Sequence, residues 1–175
     1  MKRTVIAYWL IPAEPERSFF QDIIIDLARR YNAPAFEPHM TIHVESNRED
    51  VAEEAITKAV SCCRLIQAKV LGTDQSGEFI KTLFVQFAPN ARLRRLNEII
   101  RNAAQDSSDY EFKPHLSLLY KKMSIPARRQ LANSISLPFS EVIFDSIKAV
   151  RCASPTQSRA DVEVWRVLAT KALGG

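Results

Sequence analysis

Phe36-Glu37-Pro38-His39-Met40-Thr41-Ile42 returns in altered form as Phe112-Lys113-Pro114-His115-Leu116-Ser117-Leu118. Both copies read F-x-P-H, then an apolar residue, a hydroxyl side chain and a second apolar residue. The second copy starts 76 residues after the first, and two of the chain's three histidines lie in these copies. Successive strand residues point to opposite faces, so His39 and Thr41 share one face, and His115 and Ser117 share another. At about 3.3 Å per residue, each histidine stands roughly 6.6 Å from its hydroxyl, so both can reach one tetrahedral group. Met40, Ile42, Leu116 and Leu118 point the other way, into a core. A proline opens each strand, where its missing N–H is tolerated. One strand histidine is ordinarily a satisfied polar residue. Two in equivalent settings indicate one active site made of two equivalent halves.

The pattern spreads outward from the two copies. Residues 4–11 read as a strand. A helix follows, with Pro15 in its first turn, an apolar stripe through Phe20, Ile24 and Leu27, and Asn32-Ala33-Pro34 as its end. The first motif strand spans about 39–45. Ser46 and Glu49 form a capping box for a helix whose inner face carries Ala52, Ala55, Ile56 and Ala59. Strands at 66–73 and 79–87 are joined by a turn through Asp74-Gln75-Ser76-Gly77. A helix over about 90–105 buries Leu93, Leu96 and Ile100, with Arg94 and Glu98 paired outside. The polar run Gln105–Asp109 is a loop before the second motif strand at 115–120. A short helix near 126–134 and strands at about 140–151 and 162–170 close the chain, the last two joined by a loop at 154–159. Trp9 precedes His39 by 30 residues, and Phe84 precedes His115 by 30. This is a duplicated α+β unit. We expect a single domain over 1–175 with two pseudo-symmetric lobes, about 1–75 and 76–175, with strands free to exchange between them.

Composition narrows the function classes. The chain has 175 residues, of which 46% are hydrophobic and 25% charged, as in ordinary globular proteins. No apolar run reaches membrane-spanning length, and the basic-then-apolar start lacks a signal-peptide cleavage site. We expect a cytoplasmic monomer with no membrane partner. The net charge of +4 is mild for a dedicated nucleic-acid binder but favours a phosphorylated substrate. Three cysteines, Cys62, Cys63 and Cys152, give neither a disulfide framework nor a zinc motif. His43 shares a face with His39 in an extended strand but lies about 13 Å away, too far for both to bind one zinc. It reads as a strand-end polar residue. No metal or cofactor is expected.

The paired His-x-Thr and His-x-Ser motifs resemble those of the two-histidine (2H) phosphoesterase superfamily. Phe36–Thr41 and His115–Tyr120 resemble its cyclic phosphodiesterase branch in particular. The resemblance implies a bilobal fold, two antiparallel sheets facing a central groove with helices outside. It implies hydrolysis of nucleoside 2′,3′-cyclic phosphates or ADP-ribose 1″,2″-cyclic phosphate, with His39 and His115 as the catalytic pair. Thr41 and Ser117 would donate to phosphate oxygens. Tyr120 would be a further substrate contact, although its strand parity opposes His115 and requires a bend or strand end. Trp9 is placed to stack on a base or ribose edge. By the same resemblance His115 is the base and His39 the acid, roles that the repeat alone leaves interchangeable. Two alternatives stay open. One is an RNA 2′,3′-cyclic phosphodiesterase or 2′,5′-RNA ligase-like enzyme with RNA as partner. The other is an inactive nucleotide-binding module.

Overall fold

The computed structural model describes residues 1–46, 48–105 and 108–174. Asp106 and Ser107, in the loop expected at 105–109, lie outside the described residues. In chain order the elements are β1 (Arg3–Pro12), α1 (Glu16–Tyr31), β2 (Met40–Ser46), α2 (Glu49–Cys62), β3 (Ile66–Gln75), a 3-10 turn (Phe79–Lys81), β4 (Leu83–Phe87), α3 (Ala91–Ala103), β5 (His115–Leu119), α4 (Ile125–Ser134), β6 (Glu141–Ser154), α5 (Arg159–Glu163) and β7 (Arg166–Ala172). The strands join in one seven-stranded sheet, ordered β1-β2-β5-β4-β3-β6-β7, with β1 also paired to β6. All these named-strand pairings are antiparallel. The sheet is therefore continuous, but the two expected strand sets meet narrowly at the centre, where β2 and β5 share the single pair Met40–Leu116.

The duplication is visible in the packing. Trp9 pairs with Thr41 and Phe84 with Ser117, and the register shifts just before each aromatic, at Tyr8/Trp9 and at Leu83/Phe84. β3 follows the first motif yet pairs with β4, while β6 follows the second yet pairs with β1. α1 packs behind β5 and α3 behind β2, so each helix supports the other copy's motif strand. One apolar core runs through both copies and holds Met40, Ile42, Leu116 and Leu118. Phe144 sits where β6 passes from β3 to β1, fully buried and edge-on to Phe87.

Several local expectations change. The Ser46/Glu49 capping box does not form, because Ser46 ends β2 and Arg48 is the α2 N-cap without a side-chain bond. Pro15 is the N-cap of α1 and lies outside its first turn, and the Glu14 carboxylate accepts from Ser18 N at 3.1 Å. Asn32 ends that helix in the left-handed region, φ 48°, a conformation asparagine tolerates. β4 starts at Leu83; residues 79–81 form the 3-10 turn, closed by Ser76 Oγ donating to Lys81 O at 2.6 Å. The loop expected at 154–159 is kept at 155–158, but α5, capped by Ser158, takes residues 159–163, so the last strand begins at Arg166 and not near 162. His43 is no strand-end residue. The shift at Tyr8/Trp9 skips Ile42, so His43 turns inward beside Tyr8 (6.4 Å between ring centroids) and Tyr110 (5.7 Å) and is fully buried.

Candidate active site

The pair Met40–Leu116 joins the same position of the two motif copies across an antiparallel ladder. Equivalent residues paired in this way imply a local two-fold axis between them. Counting one residue outward from that pair sets Thr41 opposite His115 and His39 opposite Ser117. The four residues expected to carry the chemistry thus meet at one place, and all four line a cavity of about 300 Å³.

Each imidazole is fixed in the same way. His39 Nδ1–H donates to Glu37 O at 2.7 Å, and His115 Nδ1–H donates to Lys113 O at 2.7 Å. Holding the proton on Nδ1 leaves Nε2 as the free, basic nitrogen of the neutral ring. The backbone carbonyl two residues upstream is available because the prolines at 38 and 114 keep the chain out of the ladder there. The Glu37 side chain is itself held, since Lys148 Nζ from β6 lies 2.7 Å from each of its carboxylate oxygens.

Burial keeps both rings neutral in the resting protein. His39 is 6% exposed. Desolvation lowers its pKa to about 4, the Glu37 carbonyl opposes that shift, and the His115 and Lys148 charges add to it. His115 is half-buried, and its pKa is also lowered, first by desolvation. Its remaining neighbours work against each other: the Lys113 carbonyl and Glu78 favour the protonated ring, and Lys81 disfavours it. Lys81 sits 4.5 Å above the Phe84 ring, whose edge meets His115 at 5.7 Å.

The first histidine lies in an aromatic box. Trp9 stacks on it, with centroids 3.8 Å apart and planes 14° from parallel, and Phe36 and Trp165 meet it edge-on, each at 6.1 Å. One face of Trp9 is therefore covered by His39, and its edge contact with Trp165 is 5.2 Å. Tyr120 stacks on Phe36 at 3.9 Å. The strand end that Tyr120 required is present: β5 stops at Leu119, and the Lys121 N–H and C=O both turn to the Thr82 hydroxyl. Tyr120 consequently lines the same cavity as His39 and Thr41. Burial raises its phenol pKa, so it stays a neutral O–H donor. Ser117 Oγ donates to Ile80 O at 2.7 Å, so its hydroxyl must rotate before it can donate to a ligand.

Glu78, Lys81 and Trp165 also line the site and were not anticipated from the sequence. Lys81 belongs to the segment read as strand, where parity gave no reason to single it out, and Glu78 stands between that segment and the turn before it. Trp165 follows the missed helix α5. A cue was present, because the chain has only two tryptophans and the other is Trp9. Asp161 anchors this helix by accepting from Gln157 N and Ser158 Oγ, each at 2.9 Å, and by pairing with Lys2. Those hydrogen bonds, Lys2 first, lower its pKa to about 2. From His39 a second, larger groove of about 430 Å³ runs along β1. Among the described residues no group of three or more His, Cys, Asp or Glu side chains is placed to hold a metal ion, and no helix is long and apolar enough to cross a membrane.

Two inward-facing imidazoles of one tautomer, each paired with a hydroxyl on a duplicated α+β frame, define a 2H phosphoesterase. The comparisons agree: the family described as cyclic phosphodiesterase-like protein matches residues 4–173, and the chain belongs to it. The chain is 22% identical over 175 residues to the cyclic phosphodiesterase of Arabidopsis thaliana, covering 97% of this chain and 95% of that protein. Crystal structures of E. coli LigT share the fold over 100% of both chains. The form complexed with 3'-AMP has a TM-score of 0.60 at 12% identity, and the form complexed with phosphate has 0.58 at 14%. The family is one of enzymes that act on phosphodiester bonds.

Proposed function

We propose that the chain hydrolyses a cyclic phosphodiester on a nucleotide by acid–base catalysis from His39 and His115, without a metal. The carrying observation is the matched pair of Nδ1–H bonds to carbonyls, which leaves a basic Nε2 on each ring beside one cavity. One ring takes a proton from water as its oxygen attacks phosphorus. The other gives a proton to the ribose oxygen as its bond to phosphorus breaks. Thr41 and Ser117 donate to the non-bridging oxygens, where charge builds. With both rings neutral at rest, the acid takes up its proton as the anionic phosphate arrives, because that charge favours the imidazolium. Family resemblance assigns His115 as the base and His39 as the acid. The names of the relatives support this reading: the Arabidopsis protein is a cyclic phosphodiesterase, and LigT has been crystallised with 3'-AMP and with phosphate.

The test is turnover of a nucleoside 2′,3′-cyclic phosphate by the wild type, His39→Ala and His115→Ala. Loss of either acid–base group lowers the rate by about 10²–10⁴-fold. Wild-type turnover by either folded variant would remove the two-histidine mechanism.

A further inference from the structure

Between α2 and α3, away from the histidines, two grooves meet at one thiol. The first, of about 360 Å³, is lined by Cys62, Cys63, Arg64, Ile66, Arg92 and Arg95. The second, of about 300 Å³, runs on past Lys58, Glu98 and Asn102. Cys62 and Arg95 line both, and neither groove shares a residue with the two cavities at the active site. Helical spacing builds this furrow. Lys58 and Cys62 are four residues apart on α2, and Arg92, Arg95 and Glu98 follow at intervals of three on α3, so each set shares a helix face. The two helices pack on each other. Among the described residues Arg64, Arg92 and Arg95 form no ion pair with a carboxylate; Arg92 instead donates to Leu65 O at 3.3 Å. The thiols differ. Cys62, the last residue of α2, is exposed, whereas Cys63 is half-buried. Burial raises the Cys63 pKa, Cys62 adds to that shift and Arg95 opposes it. Cys152 is buried and its thiol is pushed up to about 12. A thiol reacts as the thiolate, where it is accessible and in positive surroundings, and that selects Cys62.

We propose that Cys62 is a thiol-exchange site for glutathione disulfide, an anionic tripeptide disulfide, and that the furrow holds the mixed disulfide that results. Glutathione carries its sulfur in the middle and a carboxylate at each end. Cys62 likewise stands where the two grooves join, with Arg64 and Arg92 along the first and Arg95 and Lys58 along the second. The γ-glutamyl end also bears an ammonium group, and Glu98 in the second groove offers it a carboxylate. In the exchange the Cys62 thiolate attacks one sulfur of the disulfide. A protein–glutathione S–S bond forms, the original S–S bond breaks, and a glutathione thiolate leaves and takes up a proton. Cys62 is oxidised and the departing glutathione is reduced, so no other oxidant is needed. Cys63 keeps its proton through burial and does not displace the bound glutathione. None of this depends on the phosphodiesterase reading.

The test exposes the reduced protein to glutathione disulfide, to the neutral bis(2-hydroxyethyl) disulfide and to the cationic disulfide cystamine. Intact mass and peptide mapping read the adducts. Each rate is divided by that of N-acetylcysteinamide, a free thiol, which removes the intrinsic reactivity of the disulfide. One glutathione should be retained, on Cys62, and Cys62→Ser should retain none. On the corrected scale glutathione disulfide should react about tenfold faster than the neutral disulfide, and cystamine should be slowest. That advantage should shrink in concentrated salt and in the double variant Arg92→Gln, Arg95→Gln, whose two sites are exposed. A first adduct on Cys63 or Cys152, or a Cys62–Cys63 disulfide in place of the mixed one, would overturn the inference. So would equal corrected rates for the three disulfides, or an advantage that persists undiminished in the double variant.

Discussion

His39→Phe should make folding less sensitive to acid. The wild-type ring is buried against Trp9, and its pKa is depressed to about 4, against about 6.5 in an unfolded chain. Between those values the unfolded chain binds the extra proton, so stability is full above about pH 6.5 and falls as pH drops toward 4. The loss reaches about 3 kcal/mol once both states are protonated, and at pH 5 it is about 2 kcal/mol. Phenylalanine keeps a flat ring in the box and does not titrate. Urea unfolding of both proteins at pH 8 and at pH 5 gives a double difference in which His115 and the carboxylates cancel. The wild type should lose about 2 kcal/mol more than the variant. Equal losses would show that His39 titrates normally in the folded protein, and the argument from burial would fail.

Further outcomes follow from the site and the core. On the proposed mechanism, protein treated with EDTA should hydrolyse the cyclic nucleotide at an unchanged rate; activity lost and then restored specifically by zinc or magnesium would contradict it. By family resemblance a nucleoside 2′,3′-cyclic phosphate should open only to the 2′-phosphate, as read by phosphorus NMR, and a mixture of isomers would mean that the ribose is not held in one orientation. Phe144→Ala should lower the unfolding free energy by about 3–5 kcal/mol, measured by urea titration, because the ring is fully buried where β6 changes partners.

The sequence spoke most clearly where two periodicities coincided. The alternation in each motif and the spacing of 30 residues from Trp9 to His39 and from Phe84 to His115 placed β1, β2, β4 and β5 and the four motif side chains. They also foresaw that Tyr120 would need a strand end. What escaped depends on contacts that no local pattern encodes. α5 is short, and it is held by Asp161 reaching Lys2 across 159 residues. The burial of His43 follows from a register shift, and such a shift reverses strand parity without leaving a mark in composition. The failed capping box is a local ambiguity: Ser46 fits the N-cap pattern but is kept in β2 by pairing with Val5.

The repeat supplies two copies of one device, an imidazole with its Nδ1 proton fixed, an aromatic neighbour across the strand and a hydroxyl on the same face. On the proposed mechanism, a symmetric pair cannot by itself choose which ring takes the proton from water and which gives one to the leaving oxygen. The choice falls to the residues that the repeat does not copy. On one side these are Trp165, carried by the α5–β7 junction, and Lys148 with Glu37, which together leave His39 in an apolar, cation-flanked setting. On the other side they are Glu78 and Lys81 from the 3-10 turn region, which place charges of both signs around His115. The Ile80 carbonyl engages Ser117 from the same segment. On that mechanism, the chemistry comes from what the two halves share, and its direction from where they differ.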